Sequence, residues 1–210
     1  MIRLHGRADS SNVQKVLWLF DELGLPFQRI DCGATFGGLQ TSEYLALNPN
    51  ARVPTVEDGG VVIWESHAIL RHYARKHPRT GLIPIEPLDQ IRMDMALDWN
   101  HTTLWSALRP SYVAVATDKT PLDDPAIQAE LDAFEMHFTA FEWLLDKQNF
   151  VGGEHFSIGD IPLAVTIHRY LWMARNLAKW PYIHAWQMRV SARPSYAKHL
   201  VARSAATPSG

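Results

Sequence analysis

The apolar positions of this chain change their period near residue 80, and the change divides it into two differently built halves. In the first half, Val13, Val16, Leu17, Phe20 and Leu23 recur at helical spacing between the polar start Ser10-Ser11-Asn12 and the stop Gly24, which predicts an amphipathic helix. Short apolar runs over residues 2–5 and 27–32 read as strands on either side of it. After a variable loop, Val53-Pro54-Thr55-Val56 and Val61-Val62-Ile63-Trp64 flank an Asp58-Gly59-Gly60 turn and predict a hairpin. Ala68, Ile69, Leu70 and Tyr73 then return to helical spacing directly after Glu65-Ser66. Three prolines, Pro78, Pro84 and Pro87, break this pattern and predict an extended linker over residues 79–87. Beyond it the apolar residues show no strand alternation. Ile91, Met95, Leu97, Trp99 and Leu104 come first, then a run from Ile127 through Phe134, Phe138 and Phe141 to Leu145. Two more runs, 161–173 and 180–190, complete an all-α domain over residues 88–203, punctuated by Pro110 and by the Asp123-Asp124-Pro125 turn. The small polar tail 204–210 is expected to fray.

Pro54 carries chemical information, because proline has no N–H for a central sheet and belongs at a strand's first residue or in a turn. An X–Pro bond also adopts the cis form at modest cost, and a cis bond here would turn the N–H and C=O of Val53 outward to pair with an extended, peptide-like ligand. The isomer itself is not legible in the sequence. Ser66 stands at the start of the following helix, where a hydroxyl and free N–H groups attract a carboxylate, while Glu65 can accept from an ammonium. Together they suit the head group of an amino acid.

The order of these elements, with Val53-Pro54, the hairpin and Glu65-Ser66, resembles the glutathione-binding half of the glutathione S-transferase family. Phe156-Ser157-Ile158-Gly159-Asp160-Ile161 resembles that family's helix-start signature, Ser157 and Asp160 having capping-box spacing and Phe156 with Ile161 forming an apolar staple. The resemblance implies a thioredoxin-like α/β domain at residues 1–78 followed by an all-α helical bundle, the cytosolic glutathione S-transferase fold. It implies glutathione as co-substrate, bound by Gln40, Arg52, Val53, Pro54, Glu65 and Ser66, and a homodimer. Serine-type members carry a thiolate-stabilising serine where Ser10 stands, with Ser11 and Asn12 as alternatives one and two positions on. An electrophile pocket between the domains would draw on Trp105, Arg109 and Tyr112, with Trp99 in the core. The tyrosine used by other classes is missing, since residues 5–8 are His5, Gly6, Arg7 and Ala8.

Composition limits the function classes. With 47% apolar and 20% charged residues the chain is of ordinary globular make-up. The formal charge of −2 is zero over residues 1–78 and −2 over 79–210, so neither half offers a basic field for nucleic acid. No stretch approaches the roughly 20 apolar residues that span a bilayer, and the start lacks the apolar run of a signal peptide. The single cysteine, Cys32, reads as a buried small side chain and is consistent with a reducing cytoplasm. No metal is expected: no two histidines lie four apart, and His67, His72 and His77, each five apart, cannot share one helix face. The expected reaction is attack of the glutathione thiolate on a hydrophobic electrophile. Two alternatives stay open, a glutathione-dependent disulfide reductase, favoured by Asn12, and a glutathione- and apolar-ligand-binding protein without turnover.

Overall fold

The structure, a computed structural model, describes residues 1–201, so the tail expected to fray lies outside the described residues. The described residues divide into two compact units, Met1–Thr80 together with 195–201, and Gly81–Pro194. No helix of the described residues is long and apolar enough to cross a membrane.

The first unit is built on a four-stranded sheet in the order β2-β1-β3-β4. β1 (Ile2–His5) runs parallel to β2 (Phe27–Ile30), the crossover being α1 (Ser11–Glu22), while β3 (Thr55–Asp58) and β4 (Val61–Trp64) form the antiparallel hairpin. The register sets Leu4 opposite Val56, and both are buried, as are Val16, Leu17, Phe20, Ile69 and Tyr73 of α1 and α3 (Ser66–Lys76). α1 is buried over eight consecutive positions from Val13 to Phe20, so it is a core helix and not a half-exposed one. The loop expected between β2 and the hairpin contains a short helix, α2 (Ser42–Leu47), started by Thr41, whose hydroxyl accepts from the Tyr44 N–H. Six residues are too few for a periodic apolar pattern to stand out.

The second unit is all helical: α4 (Pro87–Trp99), α5 (Trp105–Ala116), α6 (Pro125–Glu135), α7 (Phe138–Leu145), α8 (Asp160–Trp172) and α9 (Pro181–Ser191). A π-helical stretch at Asn100–Leu104 joins α4 to α5. Pro110 lies inside α5 and does not end it. Leu108 and Ser111 on either side are buried, and the Ser111 hydroxyl donates to Glu130 Oε2 on α6, tertiary anchoring that offsets the backbone bond lost at proline. The apolar run 127–145 divides into α6 and α7 at Met136-His137, and Phe134, Phe138, Phe141, Tyr170 and Trp186 form the buried aromatic centre of the unit.

The signature at 156–161 does more than start a helix. Asp160, fully buried at the first turn of α8, accepts from the Ser157 N–H (2.8 Å), the Ser157 hydroxyl (3.1 Å), the Val151 N–H (3.0 Å) and Trp186 Nε1 (2.8 Å). Burial pushes its carboxyl up and these donors pull it back. Residues 195–201, assigned to the helical domain from the sequence, group instead with the sheet unit. Gln14 Nε2 donates to the His199 carbonyl (2.8 Å), Asp21 binds Lys198 and His199 at 2.7 Å each, and Tyr196 packs edge-on against Trp18. Periodicity cannot report such a return, because it carries no information about which distant segment covers a helix.

Candidate functional site

Ser10 is the N-cap of α1: its backbone is extended (φ −67°, ψ 125°) and its carbonyl accepts the first helical bond from the Gln14 N–H at 2.8 Å. Most N-cap serines turn their hydroxyl onto the N–H of the second or third helical residue. Ser10 does not, and its side chain makes no hydrogen bond among the described residues, although the residue is only 8% exposed. No acidic side chain occupies the first turn. A hydroxyl is thus left unspent at the positive end of a helix dipole. Ser11, the first helical residue, is buried, and Asn12 is half-buried.

The Val53-Pro54 segment is brought to this helix start by Gly6, in the loop between β1 and α1. Its φ is +146°, and a Cβ there would lie 2.5 Å from Val13 Cγ2 and 3.2 Å from Val53 Cβ, so only glycine permits this approach. The Val53–Pro54 bond is cis. The chain before it is anchored through the Arg52 carbonyl, which accepts from the Tyr44 hydroxyl (2.6 Å) and Asn48 Nδ2 (2.9 Å). Both side chains also bond Thr55 Oγ1, at 2.9 and 3.0 Å. Burial raises the Tyr44 hydroxyl to about 12, so it stays a neutral donor. Arg52 itself is exposed, as is Gln40 just before Thr41.

At the start of α3, Ser66 is buried and Glu65 is exposed in a left-handed conformation, φ 72° and ψ 115°. Holding a non-glycine residue there costs about 1–3 kcal/mol. The two helix starts are tied together by Lys15, which is 2% exposed: its Nζ lies 2.9 Å from Asn12 Oδ1 and 3.3 Å from His67 Nε2. Burial lowers the Lys15 ammonium to about 7, with the Glu65 carboxylate pulling it back up. Ser10, Asn12, Val53, Pro54, Glu65 and Ser66 are therefore gathered by one set of contacts within the first unit. Gln40 and Arg52 stand in the loops beside α2 with exposed side chains that show no hydrogen-bond or ion-pair partner among the described residues.

Trp105, Arg109 and Tyr112 belong to the second unit, on α5. Trp105 and Tyr112 pack ring to ring (5.9 Å), Tyr112 meets Trp172 edge-on (5.8 Å) and the Arg169 guanidinium lies over Tyr112 at 5.2 Å, whereas Arg109 is exposed. Trp99 is half-buried against Phe141 at 5.8 Å, at the margin of the core and not within it. Cys32 is buried, which pushes its thiol up and disfavours a reactive thiolate. His5 bonds Glu57 Oε1 across the sheet at 2.7 Å.

Sequence reading does not single out Gly6, Lys15 or the Tyr44-Asn48-Thr55 anchor. For Lys15 a signal exists: a cation inside an otherwise apolar stretch of helix, Val13 to Phe20, has to be buried with it or snorkel out. The anchor residues carry none, since they are polar residues in and beside a loop.

Comparison with known proteins bears on the same region. The profile described as glutathione S-transferase, N-terminal domain, matches residues 9–76. Glutathione S-transferase GstB of Escherichia coli K12 is 31% identical over 201 residues, covering 94% of this chain and 97% of its own. Among solved structures, the theta class glutathione S-transferase of Xanthomonas axonopodis pv. citri, with glutathione bound, superposes with a TM-score of 0.86 at 35% identity, covering 95% of this chain and 96% of the other. Poplar glutathione transferase F1, at 23% identity and a TM-score of 0.85 over 98% of this chain and 99% of its own, shares the fold.

Proposed function

The chain belongs to the glutathione S-transferase family and is an enzyme of it, and we propose that it binds glutathione in its first unit and stabilises the tripeptide's thiolate with Ser10. The observation that carries this reading is the unspent Ser10 hydroxyl at the N-terminus of α1. Lowering a thiol by about two pKa units requires roughly 2.7 kcal/mol of preferential anion stabilisation. A hydrogen bond to an anion contributes about 1.5–3 kcal/mol and a helix dipole up to about 1, so one hydroxyl at one helix start is sufficient. The thiol proton is released to solvent on binding, and the sulfur then attacks an electrophilic carbon as a thiolate, forming the C–S bond as the leaving group departs with its electron pair, so that no general base is needed.

The rest of the ligand follows from the chemistry of the flanking groups. The backbone of Val53 pairs with the cysteinyl portion, Glu65 accepts from the γ-glutamyl ammonium, and Ser66 with the N–H groups of α3 holds its carboxylate. Arg52 and Gln40 reach the glycine end. Trp105 and Tyr112, with Arg109 on the same helix, supply the aromatic surface for an apolar electrophile. The bound thiolate is held in reduced form by the cytoplasm in which we place the protein. A homodimer is supported by an exposed apolar groove between α4 and α7, lined by Ile91, Met95, Trp99, Trp143 and Leu144, with Trp143 70% and Ile91 58% exposed.

The test is the ultraviolet thiolate absorbance of bound glutathione, titrated across pH with wild type and Ser10→Ala. The wild type is expected to lower the thiol by at least about one unit, and the variant to lose most of that shift. An unshifted thiol in both, with binding retained, would move the protein to the non-catalytic carrier class. Turnover of a disulfide substrate above that of an aryl halide would favour the reductase alternative.

A further inference from the structure

Lys15 takes no part in the thiolate chemistry above, yet it is the most thoroughly buried cation of the first unit, at 2% exposure. Its Nζ contacts two groups, Asn12 Oδ1 at 2.9 Å on its own helix and His67 Nε2 at 3.3 Å on α3, with the Glu65 carboxylate supplying the negative field. An ammonium is a donor only and has no lone pair to accept. Whichever protonation state the lysine holds, in the structure Lys15 Nζ donates to the oxygen of the Asn12 carboxamide, which is the atom turned toward it. Its Nδ2 is left as a donor that makes no hydrogen bond among the described residues, in the helix turn that Ser10 opens.

We propose that Lys15 is a positioning residue of the thiolate site: by holding Asn12 Oδ1 it presents the Asn12 amide N–H, beside Ser10, as a second donor to the glutathione sulfur. The contact with His67 on α3 holds the Lys15 side chain from the other side, so the amide it orients is fixed in place. The inference rests on the glutathione-thiolate reading. An apolar side chain of the same length would fill the space without desolvating a charge, so packing alone does not call for lysine here. A hydrogen-bonding task does. The lysine acts through the asparagine and has no contact of its own with the sulfur in this scheme.

The test uses the full chain and glutathione itself. Thiolate absorbance of the bound tripeptide is titrated for wild type, Asn12→Ala, Lys15→Met, Lys15→Arg and the double variant Asn12→Ala/Lys15→Met. Binding of S-methylglutathione, which has no ionisable thiol, is measured by calorimetry, and folding by thermal circular dichroism. Asn12→Ala and Lys15→Met are each expected to raise the bound thiol by about one pKa unit, and the double variant by no more than the larger single effect, because both remove one shared interaction. Lys15→Arg, which keeps a cationic donor for Asn12, is expected to retain most of the shift. Affinity for S-methylglutathione should stay within about twofold in every variant.

A bound thiol in Lys15→Met as low as in the wild type, with Asn12→Ala impaired, overturns the role of Lys15 and leaves the thiolate reading intact. Additive losses in the double variant mean that Lys15 acts by its charge alone and overturn positioning through Asn12. An unshifted thiol in the wild type overturns the underlying reading. If Lys15→Met does not fold, Lys15→Leu, alone and combined with Asn12→Ala, closes the same cycle.

Discussion

Replacing Lys15 by methionine should make the protein more stable at neutral pH, and by an amount that depends on pH in a defined direction. The side chain is buried on α1, and burial lowers its ammonium from 10.5 to about 7. In the unfolded chain the lysine takes up its proton below pH 10.5, while in the folded chain it does so only near pH 7. Between these values the unfolded state binds more protons, so wild-type stability falls as pH falls from 10.5 toward 7, by about 1.4 kcal/mol per unit at most. The full window corresponds to about 4–5 kcal/mol, and the contacts to Asn12 and His67 return about 1–2 kcal/mol of it. Lys15→Met is thus expected to exceed wild type by about 2–4 kcal/mol at pH 7, or about 5–10 °C in Tm for a chain of this size. The gap should close as pH rises toward 10. Urea denaturation of both proteins from pH 7 to pH 10 measures it, the difference between them cancelling every other titrating group. A variant less stable than wild type at pH 7, or a gap that does not change with pH, would refute the reasoning, since it would mean that Lys15 is charged at no cost in the fold. A more stable variant that has also lost thiolate stabilisation would show stability given up for function at one residue.

Asp160→Ala strands three N–H groups and a hydroxyl, from Val151, Trp186 and Ser157, in a dry core, and is expected to cost about 3–5 kcal/mol; a loss under about 1 kcal/mol in urea denaturation would contradict the role given to this carboxylate. Asp21 clamps residues 198 and 199 onto α1: burial pushes its carboxyl up, but hydrogen bonds from Lys198 and His199 hold it below the usual value. Its contribution is therefore present above about pH 4 and lost as pH falls through the folded value, and Asp21→Asn should abolish that dependence. Amide exchange of residues 195–201 should then quicken about five- to tenfold, as expected for the loss of about 1 kcal/mol, and unchanged exchange would show that Gln14 and Trp18 hold the segment alone. If the proposed homodimer forms through the groove between α4 and α7, Trp143→Asp, which places a charge in it, is expected to convert the wild-type dimer to monomer in sedimentation velocity, whereas a mass equal to that of the wild type would refute this groove as the dimer contact.

Much of this protein is determined by local pattern. The span of β1 coincides with the apolar run 2–5, and α1, the hairpin and α3 follow from helical spacing, a Gly-Gly turn and Glu65-Ser66, because backbone periodicity and turn chemistry act between neighbours in the chain. The same is true of Ser10, whose place before Val13 and Val16 makes it an N-cap. What only the tertiary structure decides depends on partners distant in sequence. The Ser10 hydroxyl is unspent, Lys15 is drawn between Asn12 and His67, Gly6 admits Val53, and the segment after Ser195 returns to cover α1. Pro110 continues a helix for the same reason, since packing around Leu108 overrides a local preference. Local pattern says which residues are polar, apolar or able to cap. Whether a polar atom is satisfied or left for a ligand is a property of everything packed around it, and at Ser10 and Asn12 that difference carries the chemistry proposed for this protein.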